Sequence, residues 1–256
     1  LTDSKELTKE NQDAIREAIE AGHKVVISTG RPLAGATAQA RALHLDGEGC
    51  YIICFNGGEI YDCAAQKSLY RKSIPFEEVR YVFDLAHKRG LHIQTYDRNH
   101  VIGDRKEIFD YSSVYGLPAK IVPDVISCLP EEPCKMLAID EENHENLVRF
   151  QKELLPWAEG KLDLFFSHPM LLELVPTGVS KGAAIGILCD HLGIPISEAV
   201  AVGDAENDIP MIRAAGIGAV MCNGEAHTLS FADYVTTNDN NHSGVAEVIR
   251  RFLLRK

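Results

Sequence analysis

Asp204, Asn207 and Asp208 stand in one short stretch, Gly203-Asp204-Ala205-Glu206-Asn207-Asp208-Ile209-Pro210-Met211. Two carboxylates at i and i+4, with an amide beside the second, offer the oxygen donors that a hard divalent cation takes. The same acids could instead cap a helix and favour its positive end. Lys181 poses a second question, because Ser180-Lys181-Gly182 opens an apolar helical pattern. A cation in a first turn meets the positive end of the helix dipole, at a cost of about 0.3–1 kcal/mol. A bound phosphate would compensate by taking the lysine and the N–H groups of the helix start together; a solvated loop lysine would need no partner. Thr29-Gly30-Arg31 adds a hydroxyl, a backbone N–H with no side chain in the way, and a charged fork. Arg31, placed before Pro32, also suits a plain surface. Asn56-Gly57-Gly58 contributes an amide, or is only a turn.

Each of these groups follows an apolar run. Lys24-Val25-Val26-Ile27-Ser28 precedes Thr29, Tyr51-Ile52-Ile53-Cys54-Phe55 precedes Asn56, and Ala199-Val200-Ala201-Val202 precedes Gly203-Asp204. Short, Val- and Ile-rich runs free of charge read as buried strands. Between them lie helix patterns, through Asn11 to Ile19 with Gly22 closing it, from Pro32 to about Leu43, and from Lys181 to His191. Alternating strand and helix predict a parallel sheet flanked by helices, and an open α/β sheet places its site at the carboxyl ends of its strands. Further along, Ile217-Gly218-Ala219-Val220-Met221 and Asp233-Tyr234-Val235-Thr236 read as strands, and Gly244 to Leu254 as a closing helix.

The pattern differs in the middle. Phe76 to Arg89, Glu107 to Tyr115 and Glu141 to Trp157 fit helices, and Leu91 to Tyr96 an alternating, half-exposed strand. Lys135 to Ile139, Leu162 to Phe166 and Met170 to Val175 complete a set of strands. Mixed order and half-exposed strands predict an α+β module with one solvated sheet face. The expected organisation is a Rossmann-like α/β core domain made of residues 1–76 and 176–256, interrupted by a cap domain at 77–175.

A net charge of -11 argues against non-specific nucleic-acid or anionic-membrane partners, but not against a small phosphorylated ligand held in a local basic pocket. No apolar run approaches the length of a membrane span. The seven cysteines form no CxxC pair, which suits reduced thiols in a cytoplasmic protein. The glycine spacings of a P-loop and of a dinucleotide fingerprint are both missing. The oligomeric state stays open, with a monomer favoured.

Taken together, Val25 to Pro32, Ser180-Lys181-Gly182 and Gly203 to Asp208 resemble the second, third and fourth motifs of the haloacid dehalogenase superfamily. The position of the insertion resembles its Cof-type sugar-phosphatase branch, and the likeness covers nearly the whole chain. The resemblance implies that Thr29 and Gly30 hold a transferring phosphoryl group and that Lys181 neutralises its charge. It implies that Asp204 ligates Mg2+, that Asn207 contacts phosphate, and that Asp208 orients the lysine or the water shell of the metal. Arg31 and Asn56 are weaker carry-overs at the substrate edge. The hairpin at Asp97-Arg98-Asn99-His100 could select substrate, or be a solvated turn.

The first motif of that family, an Asp-x-Asp segment at the end of a central strand, has no counterpart here. Leu1-Thr2-Asp3-Ser4 resembles the residues that directly follow it. Loss of a central strand would leave two neighbours unpaired along buried edges. The expectation is therefore a natural chain that extends before Leu1; an intact mass equal to 28.2 kDa would refute it. The function implied is Mg2+-dependent hydrolysis of phosphate monoesters of small metabolites, sugar phosphates foremost, through an aspartyl-phosphate whose nucleophile precedes Leu1. Two alternatives are a phosphosugar mutase on the same scaffold and, if the motif is truly absent, a catalytically dead phosphate-binding or regulatory protein.

Overall fold

In order, the chain forms α1 (Lys9–Glu20), β1 (Val25–Ser28), α2 (Leu33–Ala42), β2 (Cys50–Cys54), β3 (Glu59–Asp62) and β4 (Lys67–Arg71). There follow α3 (Phe76–Lys88), β5 (His92–Tyr96), β6 (Val101–Gly103), β7 (Ala119–Ile121), α4 (Val125–Cys128), β8 (Met136–Ile139), α5 (His144–Ala158), β9 (Leu162–His168) and β10 (Leu171–Pro176). The last stretch contains α6 (Lys181–Leu192), β11 (Val200–Gly203), α7 (Ile209–Ala214), β12 (Ile217–Val220), α8 (Ala226–Leu229), β13 (Tyr234–Val235) and α9 (Gly244–Phe252). This computed structural model describes residues 1–104 and 117–254. The helix expected over Glu107 to Tyr115 lies outside the described residues. Two compact units emerge: Leu1–Thr29, Thr37–Tyr70 and Ser180–Lys256 make the first, Gly30–Ala36 and Arg71–Val179 the second.

The first unit is α/β with parallel strands. β1 pairs parallel with β2, and β11 and β13 pair parallel with β12. β2 is buried at every residue, as its continuous Cys50-Tyr51-Ile52-Ile53-Cys54 run requires of a strand packed on both faces. Tyr51, Ile53 and Ile60 pack against Ala184 and Leu188 of α6. The strands fall into two sheets, β1-β2-β3-β4 and β11-β12-β13, so β1 and β11 are each the end strand of a sheet. The β3 and β4 strands were not foreseen: Glu59-Ile60-Tyr61-Asp62 is short and carries an acid at each end. Glu59 is nevertheless buried, with Ser68 of β4 donating to its carboxylate.

The second unit carries one sheet in the order β7-β6-β5-β8-β10-β9, antiparallel except for the β6–β7 pair. Val79, Val82, Phe83 and Ala86 of α3 and Leu147, Phe150 and Leu154 of α5 pack with Ile93, Met136, Ala138, Leu172 and Leu174 of the strands. The half-exposed strand expected at Leu91 to Tyr96 is instead almost wholly buried. Its polar alternation reflects internal partners: Gln94 donates to the Tyr96 hydroxyl, and Thr95 to the Lys135 carbonyl. In the Asp97–His100 turn, the Asp97 carboxylate accepts from the N–H groups of Asn99 and His100.

Candidate active site

Local chemistry builds the Asp204 loop. β11 ends at Gly203, where a Cβ would meet the Asp208 Cβ at 2.5 Å; only glycine allows the loop to fold back this tightly. Asp208 then spans it, its Oδ2 accepting from the N–H groups of Asp204 at 3.0 Å and Ala205 at 3.3 Å. Its Oδ1 takes the Lys181 ammonium at 2.5 Å. Ser180 caps α6 by accepting from the Ala183 N–H, which fixes Lys181 as the first helical residue. Close approach of the two elements depends on Gly182, whose Cβ would strike the Pro210 carbonyl at 2.2 Å. The charge that offsets the helix dipole at Lys181 is thus the protein's own Asp208. Lys181 and Asp208 are 6% and 5% exposed, so the pair is desolvated and fixed in place.

Asp204 differs from its neighbour. It is exposed, yet enough protein surrounds it for burial, and next the Asp208 charge, to push its carboxyl above the ordinary range against the pull of Lys181. Its carbonyl accepts from the Glu225 N–H at 2.8 Å, and the Glu225 carboxylate accepts from the Glu206 N–H at 3.0 Å. Glu225 was missed from the sequence. The signal available was Asn223-Gly224-Glu225, which closely follows β12 on the same strand-end edge as Asp204.

Thr29 and Asn56 are joined at the ends of β1 and β2: the Thr29 N–H donates to the Ile53 carbonyl, and the Asn56 N–H to the Thr29 carbonyl. Asn56 has a left-handed backbone, φ 58°, and is buried. Its Oδ1 accepts from Asn207 Nδ2 at 3.5 Å, while its own Nδ2 is buried with no hydrogen-bond partner among the described residues. Gly57 permits this corner to sit against α6, since a Cβ there would meet the Ser180 carbonyl at 2.3 Å. Thr29, Asn56, Lys181, Asp204, Asn207 and Asp208 therefore gather in the first unit. Gly30 and Arg31 group with the second unit, where the Gly30 carbonyl accepts from Lys135 Nζ at 2.9 Å.

Such an arrangement can bind an anion and polarise it. A lysine held by a carboxylate retains further N–H groups, and a buried amide donor without a partner costs free energy until a ligand oxygen takes it. The donor set also fits Mg2+, an oxygen-seeking ion bound through one or two carboxylates, with waters and substrate phosphate completing its shell. Asp204 could hold such an ion, because a nearby cation would relieve the cost of its ionised form. Among the described residues no group of three or more His, Cys, Asp or Glu side chains forms a metal cage.

Comparison with known proteins gives a consistent result. A family model described as haloacid dehalogenase-like hydrolase matches residues 1–249. A protein of Streptococcus pyogenes serotype M6 that carries a phosphatase name is 32% identical over 99% of this chain and 94% of its own. The 5-amino-6-(5-phospho-D-ribitylamino)uracil phosphatase YcsE of Bacillus subtilis is 30% identical, over 99% of this chain and 92% of its own. Among solved structures, a haloacid dehalogenase-like hydrolase from Bacteroides thetaiotaomicron superposes with a TM-score of 0.89 at 29% identity, covering 98% of this chain and 94% of that one.

Proposed function

Because the chain belongs to the haloacid dehalogenase-like hydrolases, we propose that it hydrolyses phosphate monoesters of small metabolites, sugar phosphates foremost, with Mg2+ and in the cytoplasm. The observation that carries this reading is the Lys181–Asp208 pair set beside Asp204, with the unpartnered Asn56 amide at the same strand-end edge. That is a site for an anion which gains charge during reaction. The phosphatase names of relatives aligned over nearly the whole chain support it.

Each residue then has a role. Lys181, held in one position by Asp208, stabilises negative charge on the phosphoryl oxygens, and it does so without reorganising when the reaction proceeds. Thr29 holds the same oxygens, and Asn207 and Asn56 orient the group from the same strand-end edge. Asp204 would hold Mg2+, which would supply further neutralisation of that charge. Asp208 is committed to Lys181 and two backbone amides, so it is not the group that attacks phosphorus. In this reading the nucleophile is an aspartate carboxylate. Its carboxylate oxygen displaces the ester oxygen, which leaves with a proton, and water then cleaves the acyl phosphate to release inorganic phosphate.

The test is phosphate release by the protein from a panel of phosphorylated sugars and cofactors, with Mg2+ and with EDTA. Metal-dependent release that fails in Lys181→Ala is expected. Hydrolysis that survives EDTA, or survives Lys181→Ala unchanged, would refute the mechanism; isomerisation without release would identify a mutase.

A further inference from the structure

Three successive N–H groups of the Asp204 loop are held by carboxylates from two different elements. Asp208 Oδ2 takes those of Asp204 and Ala205, and Glu225 Oε2 takes that of Glu206 at 3.0 Å. Glu225 also acts through its backbone, since its N–H donates to the Asp204 carbonyl at 2.8 Å. The two peptide groups that flank the Asp204 Cα are therefore fixed from opposite sides, the N–H by Asp208 and the carbonyl by Glu225. Asp208 is set in turn by Lys181. Glu225 is set by the turn that carries it.

That turn follows β12 directly. The Gly224 N–H closes it on the Met221 carbonyl at 2.8 Å, and a Cβ at Gly224 would meet the carbonyl oxygens of Asp204 and Met221 at 2.9 Å. Asn223 donates to Asn240 Oδ1 at 2.7 Å, and Asn240 donates to Asp3 Oδ1 at 2.8 Å, which anchors the turn. Glu225 stands at the cap position of α8 with an extended backbone, φ -60° and ψ 137°. From that position a side-chain oxygen ordinarily takes an N–H of its own helix. Among the described residues the Glu225 carboxylate makes no such bond and reaches across to Glu206 instead. A side chain can orient a metal ligand only as far as its own place is fixed, and here the backing is present.

We propose that Glu225 is a positioning residue for Asp204: by holding the Asp204 carbonyl and the Glu206 N–H together, it keeps the Asp204 carboxylate in the orientation that takes a divalent cation. This role rests on the reading of Asp204 as the Mg2+ ligand. Asp204 is exposed, so packing alone does not hold its side chain, and its rotamers are limited chiefly through the backbone that carries it. With the loop stapled on one side only, binding would have to bear the cost of ordering the ligand.

Mn2+ serves as the probe, because it takes the same oxygen donors and its free form is counted by electron paramagnetic resonance. Asp204→Asn is expected to abolish binding. A parent that takes up no Mn2+, or Asp204→Asn with parental affinity, would overturn the metal reading and this proposal with it. Where Mn2+ does bind through Asp204, Glu225→Ala should weaken it by about tenfold or more, as loss of a group that orients a ligand does. Glu225→Gln keeps an oxygen for the Glu206 N–H and should stay within about threefold of the parent. Without metal, amide exchange at Glu206 should quicken in Glu225→Ala and return toward the parental rate in Glu225→Gln. Parental Mn2+ affinity in Glu225→Ala, or Glu225→Gln as weak as Glu225→Ala, would overturn the proposal while leaving Asp204 as the ligand. A change in Tm alone, with affinity unmoved, would show Glu225 to be a structural staple and refute the positioning role.

Discussion

Among the described residues each unit contains one buried lysine–carboxylate pair, and the surroundings of the two pairs differ. In the first unit Lys181 meets Asp208 at 2.5 Å; in the second, Lys135 meets Glu173 at 2.9 Å, and Lys135 and Glu173 are 2% and 4% exposed. Lys135 is fully engaged. Its ammonium also donates to the Gly30 carbonyl and lies 5.2 Å from the centre of the Tyr96 ring, while Ser167 donates to the other Glu173 oxygen at 2.7 Å. Its contact with Glu173 is an ion pair rather than an aligned hydrogen bond, since Glu173 Oε2 has no directed donor among the described residues. Lys181 stands at a helix start, between strand ends, beside an exposed acid and a buried amide without a partner. A buried ion pair gives little net stability, so what surrounds it decides its use. In the proposed reading the first meets a ligand; the second fastens the segment that follows Thr29 into its own unit.

The largest expected effect separates the pairs by double substitution. Removing one partner of a buried pair costs about 3–5 kcal/mol, because a charge is left buried alone, and replacing both with apolar groups recovers much of that. Lys181→Met and Lys135→Met should therefore both lower the Tm, and Lys181→Met/Asp208→Leu and Lys135→Met/Glu173→Leu should both regain most of it. Phosphate release should differ. It should fall by about a thousandfold or more in either Lys181 variant, and stay within about tenfold in the Lys135 double variant. Equal loss of turnover in the two double variants would erase the distinction.

Asp204→Asn sharpens the same contrast from the side of the acid. The folded-state pKa of Asp204 is raised, so folding favours its protonated form. Its contribution to stability is present below the ordinary value, about 3.9, and is lost as pH rises through the folded value. At pH 7 the ionised carboxylate is thus a cost, and Asp204→Asn should raise the Tm while abolishing Mg2+-dependent release. The Tm difference should vanish below about pH 4. A variant less stable than the parent at pH 7 would show that Asp204 is a structural cap.

How far the sequence carried these readings depends on the distance over which each residue finds its partner. The Asp204 loop was legible because strand, glycine, paired acids and helix-starting proline follow one another within a few residues. The oddity of Lys181 was legible too, but not its answer: the compensating carboxylate lies 27 residues on, and only the packing of α6 against α7 brings it near. Alternation in β5 was read as one wet face, whereas Gln94 and Thr95 turn to partners inside the unit, an outcome that period alone cannot separate from exposure. The left-handed Asn56 corner was weighed as a turn, and its buried amide depends on the contact with Asn207.

Asn56→Gly should have a smaller effect. Glycine accepts the left-handed backbone, so stability should change by less than about 1 kcal/mol. Loss of the buried Nδ2 donor should raise KM for a phosphomonoester by about tenfold, the equivalent of one hydrogen bond, with kcat less affected. An unchanged KM would mean that the amide does not face substrate.

Ser167→Ala should do least. It removes the hydroxyl that donates to Glu173 and leaves the carboxylate paired with Lys135, so unfolding free energy should fall by about 0.5–1.5 kcal/mol. Turnover and KM should not move, because the Lys135–Glu173 pair works on Gly30 and Tyr96 and not on a ligand. A shifted KM with an unchanged Tm would break the comparison at its second term. Glu173 would then be acting on substrate, and both buried pairs would belong to recognition.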